Sequence, residues 1–223
     1  MTPEERTTGV ILRTRLLTET SLIVHWLTAD AGRVATVARG ARRPKSPYRG
    51  KLDLFHEAEI SFRRSARSDL HSLGEVQLRE TFPALRADWH RLSQAAYGVG
   101  LVEQTTEADT PLPGTWILFR RFLGEITRGE WSPLPVLALE LQQLADLGLL
   151  PELERESLPG PSRELALDLV AWEGEEPLAA GGAGEAVWRP LERFLHGFLI
   201  YHLGRLPRGR AEALSGNPAL PGI

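Results

Sequence analysis

The chain is expected to be an α+β, multi-domain protein, with a five-stranded β-barrel over residues 1–80 and an all-helical domain over 81–223. Two observations lead there. Apolar residues alternate with period two through the first 80 positions and recur at helical spacing after them. Charge divides at the same point: residues 1–80 carry 14 Lys/Arg and 10 Asp/Glu, whereas 81–223 carry 12 and 19. Such asymmetry suggests a first part that meets a polyanion and a second part with another task.

The elements follow in order. Val10, Leu12 and Leu16 share a parity, with Arg13 and Arg15 on the other. In "SLIVHWLT", Leu22, Val24 and Trp26 line one face, and His25 interrupts the other. In "GRVATVARG", Val34, Thr36 and Ala38 share a face, and Trp26 is expected inside the barrel. "HEAEISFRR" sets Ala58, Ile60 and Phe62 against Glu57, Glu59, Ser61 and Arg63, and "LGEVQLRE" supplies Val76 and Leu78. Five short strands, each with one buried face, fit the OB fold, a closed barrel that often binds oligonucleotides.

After "TFPALRADWHRL" the period changes. Trp89, Leu92, Ala96 and Val99 recur at helical spacing, as do Trp116, Phe119, Phe122, Leu123 and Ile126. Trp89 and Trp116 are read as core residues rather than a cofactor box. "SPLPVLALELQQLADLGLLPEL" opens on Ser132 as N-cap with Pro133 next, and stops near Gly148, with Pro151 beyond. Helices over roughly 162–173 and 189–204 flank "EEPLAAGGAGEA", read as a flexible loop. The terminal "SGNPALPGI" is read as frayed.

Composition narrows the function classes. Hydrophobic residues at 42% and charged ones at 25% are ordinary for a soluble globular protein. No stretch approaches the ~20 apolar residues of a membrane span. "MTPEERTTGV" carries acids before any apolar run and does not read as a signal peptide. The chain has no cysteine, which excludes disulfides and thiolate metal sites and fits a cytoplasmic location. His25, His56, His71, His90, His196 and His202 match no metal-binding spacing, so no metal and no cofactor are expected. Carboxylate pairs such as Glu4–Glu5 and Glu175–Glu176 sit in polar, turn-like contexts, and no nucleophile elbow or phosphate-cradling glycine motif occurs. No catalytic residue, small-molecule substrate or membrane partner is expected.

The strongest local signal is "ARGARRPKS" at 38–46. Arg33, Arg39, Arg42, Arg43, Lys45, Arg49 and Lys51 fall within nineteen residues that hold no acid. The bland reading is a solvated turn. Against it, close like charges repel by roughly 0.2–1 kcal/mol per pair unless an anion relieves them. Pro44 and Pro47 stiffen the run, while Gly40 and Gly50 permit turns at its ends. The run lies between the third and fourth strands and is expected to hold phosphate. Tyr48 is its one aromatic, so binding there should depend on phosphates more than on bases. The expected nucleic-acid residues are Arg33, Arg39, Arg42, Arg43, Lys45, Tyr48, Arg49 and Lys51. Arg13, Arg15, Arg63, Arg64 and Arg67 are candidates to extend that surface.

The chain resembles the bacterial DNA repair protein family RecO. The resemblance rests on "GVILRTRLLTETSLIVHWLTADAGRVATVARGARRPKS", "LDLFHEAEISF", "LADLGLLPELE" and "YHLGRLPRGR", which occur in the expected order. It implies a recombination mediator without catalytic residues that binds single- and double-stranded DNA and anneals complementary strands. The implied partners are RecR and the single-strand-binding protein, with which it loads recombinase at the nucleoid. The family's basic region maps onto Arg39, Arg42, Arg43 and Lys45. Many members carry a four-cysteine zinc site after the segment matching "GLLPELE". Here that place, around 155–165, reads "RESLPGPSREL", so the zinc module is absent and helix packing must hold the region or leave it mobile. A partner's tail is expected in an apolar groove of the helical domain, near Arg120 and Arg121. Two other readings stay open: an RNA-binding OB-fold accessory protein, and a repair adaptor that does not bind DNA.

Overall fold

In a computed structural model, the structure describes residues 3–128, 130–178 and 183–216. Five strands, β1 (Glu4–Leu16), β2 (Leu22–Thr28), β3 (Gly32–Ala38), β4 (Glu57–Arg63) and β5 (Leu70–Glu80), form a closed barrel in the order β1-β2-β3-β5-β4. Every neighbouring pair is antiparallel except β3 and β5, which run parallel from Ala35↔Leu70 to Val37↔Ser72. That closure gives the barrel the OB-fold topology expected from five short strands.

The barrel core contains Ile11, Val24, Trp26, Val34, Ile60 and Phe62. Trp26 is fully buried, and its Nε1 donates to Thr36 Oγ1 at 2.9 Å, which lets an indole enter an apolar interior without a bare donor. Val34, Thr36 and Ala38 share the inner face, as do Ala58, Ile60 and Phe62. The alternation fails in two places. In β1 the register shifts between Ile11 and Arg13; Val10, Ile11 and Leu12 are all buried, and Leu16, the last residue of the strand, is 66% exposed. The inserted residue reverses side-chain parity, setting Thr14 and Leu16 opposite Val24 and Leu22, so Leu16 is exposed because it ends the strand and not because it faces away. In β4, Glu57 and Ser61 are buried with their neighbours. Ser61 Oγ donates to Glu4 Oε1 at 2.8 Å and accepts from the Glu75 N–H, so the outward face is also covered. Glu4 and Glu5 thus lie in a strand, not a turn.

Two compact units emerge, Met1–Phe82 with Thr106–Ile117, and Pro83–Thr105 with Leu118–Ile223. The 106–117 segment returns to the start of β3. The Asp109 N–H donates to Arg33 C=O, and Arg33 donates through Nε to Thr106 Oγ1 at 2.7 Å. Gly32 permits that approach: its φ is +69°, and a Cβ there would lie 1.9 Å from Thr110 O.

The remaining elements are α1 (Ala84–Ala87), α2 (Trp89–Thr105), α3 (Pro113–Ile126), α4 (Leu134–Asp146), α5 (Gly160–Ala171), α6 (Glu185–Leu203) and α7 (Arg210–Ala213). In the second unit α4 packs against α2, α5 and α6 and is buried nearly all round, which explains its near-continuous apolar run. Ser132 Oγ accepts from the Leu134 N–H at 3.2 Å, and the Leu149 N–H closes the far end on Leu144 C=O. Trp116, Phe119, Phe122, Leu123 and Ile126 are buried as their spacing predicts. Trp89 is not, at 54% exposure, and Ala96 is exposed too. The buried stripe of α2 runs instead through Gln94, Tyr97, Gly98, Leu101 and Val102. Gly98 sets that face, because a Cβ there would meet Phe122 at 2.6 Å.

The zinc-module region has no thiolate donors to offer, since the chain lacks cysteine. Packing holds it: Leu153, Leu158 and Ser162 are buried, and Arg163 Nη2 donates to Leu158 C=O at 3.1 Å. The Gly/Ala loop falls partly at 179–182 and the chain's last segment at 217–223, both outside the described residues.

Candidate nucleic-acid interface

The loop from Arg39 to His56 joins β3 to β4 as a chain of tight turns. Backbone N–H groups of Arg43, Ser46, Arg49 and Lys51 each donate to the carbonyl three residues earlier. At its start the Gly40 N–H donates to Ser21 Oγ, and the Arg42 N–H to Thr20 C=O at 3.0 Å. At its end the Phe55 N–H donates to Ile11 C=O and the Ile11 N–H to His56 C=O. Ala41, Tyr48 and Leu52 pack on the barrel core between these anchors. The loop is therefore held against the barrel along its length, and little ordering entropy remains to be lost when a ligand binds.

The structure sorts the eight expected residues into two groups. Arg39, Arg42, Arg43, Lys45 and Arg49 are exposed on the loop. Arg42 Nη1 donates to Glu19 C=O at 2.9 Å, a neutral partner that leaves its charge uncompensated. Among the described residues, Arg39, Arg43, Lys45 and Arg49 make no ion pair with a carboxylate. The other three brace the loop or barrel. Tyr48 Oη donates toward Leu73 C=O and Gly74 C=O at 3.1 and 2.9 Å, and burial pushes its phenol pKa up. Lys51 Nζ donates to Val76 C=O at 2.9 Å, and Arg33 is bound to Thr106. Each lies far in sequence from its partner, so no local signal separates bracing cations from available ones.

Of the five candidates for extending the surface, Arg64 is taken: it bonds Glu5 at 2.9 Å and Asp109 at 2.6 Å. Arg13, Arg15, Arg63 and Arg67 are exposed. His71 Nε2 lies 3.0 Å from Asp109 Oδ1, and His56 Nδ1 faces Lys51 C=O. Among the described residues no group of three or more His, Asp or Glu is placed to hold a metal ion. None of the described helices is long and apolar enough to cross a membrane.

In the helical unit, Arg120 is exposed, while Arg121 donates to Trp172 C=O at 2.8 Å and lies over its ring. An open pocket of about 370 Å³ lies elsewhere in that unit, where Leu134, Pro161, Leu165, Leu169 and Val187 are joined by Glu164 and Asp168.

Comparison with known proteins matches both halves. Residues 1–82 match the family described as Recombination protein O N terminal, and 86–186 match Recombination protein O C terminal. The chain is 31% identical over 212 residues to the DNA repair protein RecO of Anaeromyxobacter dehalogenans strain 2CP-C, covering 95% of this chain and 82% of the relative. Against the RecO of Anaeromyxobacter sp. strain K it is 30% identical over 215 residues, with 96% and 83% covered. Against that of Laribacter hongkongensis it is 33% identical over 174 residues, with 77% and 70% covered. With barrel and helices matched in order and the similarity spread along nearly the whole chain, this protein belongs to the RecO family.

Proposed function

We propose that the protein is a non-catalytic, DNA-binding recombination mediator. On this reading it binds single- and double-stranded DNA, anneals complementary strands, and works with RecR and the single-strand-binding protein to load recombinase. A cytoplasmic, nucleoid-associated location goes with that role. The observation that carries the DNA-binding part is the cation array on the braced loop: Arg39, Arg42, Arg43, Lys45 and Arg49, exposed and without a carboxylate partner among the described residues. Backbone phosphates would displace condensed counterions there, a sequence-independent gain, and neutralising two strands at one surface lowers the repulsion that opposes annealing. Tyr48, Lys51 and Arg33 serve the site by holding its frame. The acidic helical domain is the side for protein partners.

The test is oligonucleotide binding and annealing across a salt series, with wild type and an Arg42→Glu/Arg43→Glu/Lys45→Glu variant. Wild type should bind and anneal. The variant's log–log salt slope should shrink by about 0.7 for each single-strand phosphate it no longer neutralises, and by about 0.9 for each duplex phosphate. Unchanged affinity and slope would overturn the loop assignment. Tighter binding to structured RNA, without annealing, would select the RNA-binding reading. Partner capture that survives complete loss of DNA binding would select the adaptor.

A further inference from the structure

Beside the cation array stand two leucines that the barrel does not bury. Leu16 ends β1 at 66% exposure, and Leu17 follows at 44%. Leu16 pairs across the hairpin with Leu22, which does pack on the barrel core. Leaving two such side chains in water forgoes a stabilisation of the kind that full burial would give each. The hairpin that displays them is well fixed. The Leu17 N–H donates to Ser21 C=O at 3.0 Å, the Thr18 N–H to the same oxygen, and the Ser21 N–H to Thr18 Oγ1.

The basic loop is fastened to this same hairpin. Three bonds join them: Gly40 N–H to Ser21 Oγ, Arg42 N–H to Thr20 C=O, and Arg42 Nη1 to Glu19 C=O. Leucines and cations therefore belong to one preorganised surface, on which Glu19 is the adjacent carboxylate.

We infer that Leu16 and Leu17 form the base-contacting part of the proposed DNA surface, packing against the faces of unpaired bases while the loop holds the phosphates. The inference rests on the DNA-binding reading above and deepens it. A charge array alone grips any polyanion and has no means of preferring a single strand. Base faces are hidden in a stacked duplex and open in a single strand or frayed end, and apolar contact with them tolerates any sequence. Tyr48, the aromatic of the basic run, is occupied by the barrel and Phe55 is buried, whereas these leucines, more exposed than Leu54 on the loop itself, remain accessible beside the array. Arg42, bonded to the hairpin, and its loop neighbours Arg39 and Arg43 give the patch the charge of a nucleic-acid surface.

The experiment compares wild type, Leu16→Ser/Leu17→Ser and Leu16→Met/Leu17→Met on an oligo-dT strand and on a duplex of equal length, each across a salt series. Thermal melting checks that both variants stay folded. The serine variant should bind the single strand about tenfold more weakly, as expected when one or two bases lose their packing partner. Its duplex affinity should stay within about twofold of wild type, with both salt slopes preserved because every phosphate keeps its cation. The methionine variant should keep single-strand affinity. Unchanged single-strand binding by the serine variant overturns the inference, as does an equal loss on both substrates. Wild-type self-association that the serine variant abolishes would assign the leucines to a second copy and overturn it too. If wild type binds neither substrate, the DNA-binding reading itself fails, a result distinct from all of these.

Discussion

Arginine is put to opposite uses in the two units of this protein. In the helical unit Arg210 is buried at 5% exposure and saturated: Nε and Nη2 hold Glu140 at 2.7 and 2.9 Å, and Nη1 holds Glu192 at 2.7 Å. Glu140 also accepts from Tyr97 Oη. Burial alone would lower the Arg210 pKa, but attraction to Glu140 reverses that and raises it. In the barrel unit Arg39, Arg43 and Arg49 are exposed and face no carboxylate among the described residues. A buried, paired charge is costly to break because its partner is left desolvated, whereas an exposed, unpaired charge contributes little to folding and is available to a ligand. Arg210 therefore holds the fold of its unit, whereas Arg39, Arg43 and Arg49 are available to a ligand.

The comparison breaks most readily at Arg210. Arg210→Ala leaves Glu140 buried without its cation and should cost about 3–5 kcal/mol in chemical denaturation. The paired change Glu140→Leu/Arg210→Met should recover part of that loss, since it removes both charges together but leaves the Tyr97 hydroxyl without its acceptor. In contrast, Arg43→Ala should shift stability by no more than about 0.5 kcal/mol while weakening DNA binding. A destabilised Arg43→Ala, or a fully stable Arg210→Ala, would erase the distinction.

Tyr97 sharpens the same contrast through pH. Burial first, and then the Glu140 carboxylate, push its pKa well above the ordinary tyrosine value. The unfolded chain ionises this phenol near pH 10, while the folded protein keeps it neutral. The associated stability is fully present below about pH 10 and is lost as pH rises from there toward the folded-state value. Tyr97→Phe should lower stability by about 1–3 kcal/mol at neutral pH, by unpairing one Glu140 bond, and should flatten the alkaline fall. Denaturant midpoints measured at several pH values from about 7 to about 11 would show both effects. An alkaline limb that stays equally steep in Tyr97→Phe would remove this phenol from the account.

What the sequence reveals about each unit follows from how local the cause is. The inner faces of β3 and β4 are legible, because Val34, Thr36 and Ala38 obey a period enforced by the strand itself. In β1 a single unbroken period fails, because the bulge after Ile11 depends on how the neighbouring strand pairs. On α2 the spacing of Trp89 and Ala96 imitates a buried stripe, whereas the close approach at Gly98 turns the opposite side inward. The basic loop is legible as a run of charge between two strands. Which cations of the run are engaged is not, since Arg33 meets Thr106 across 73 residues and Lys51 meets Val76 across 25; in the helical unit, Arg210 likewise meets Glu140 across 70. Partners so distant are set by topology, and composition and spacing carry no trace of them.

The smallest effect tests the line between bracing and gripping within the loop itself. Tyr48 spends its hydroxyl on two carbonyls of the β5 backbone, Leu73 and Gly74, and its ring packs on the barrel core. Tyr48→Phe keeps the ring and removes only those bonds, so it should cost about 0.5–1.5 kcal/mol of stability. DNA affinity and salt slope should be unchanged, because phosphates are held by side chains elsewhere on the loop. Oligonucleotide binding in parallel with a urea titration separates the two readouts. Weakened binding at full stability would instead make the phenol a ligand contact and merge the bracing residues with the gripping ones. The loop's rigidity would then be a consequence of DNA binding, whereas the bonds to β5 and to the β1–β2 hairpin argue that it comes first.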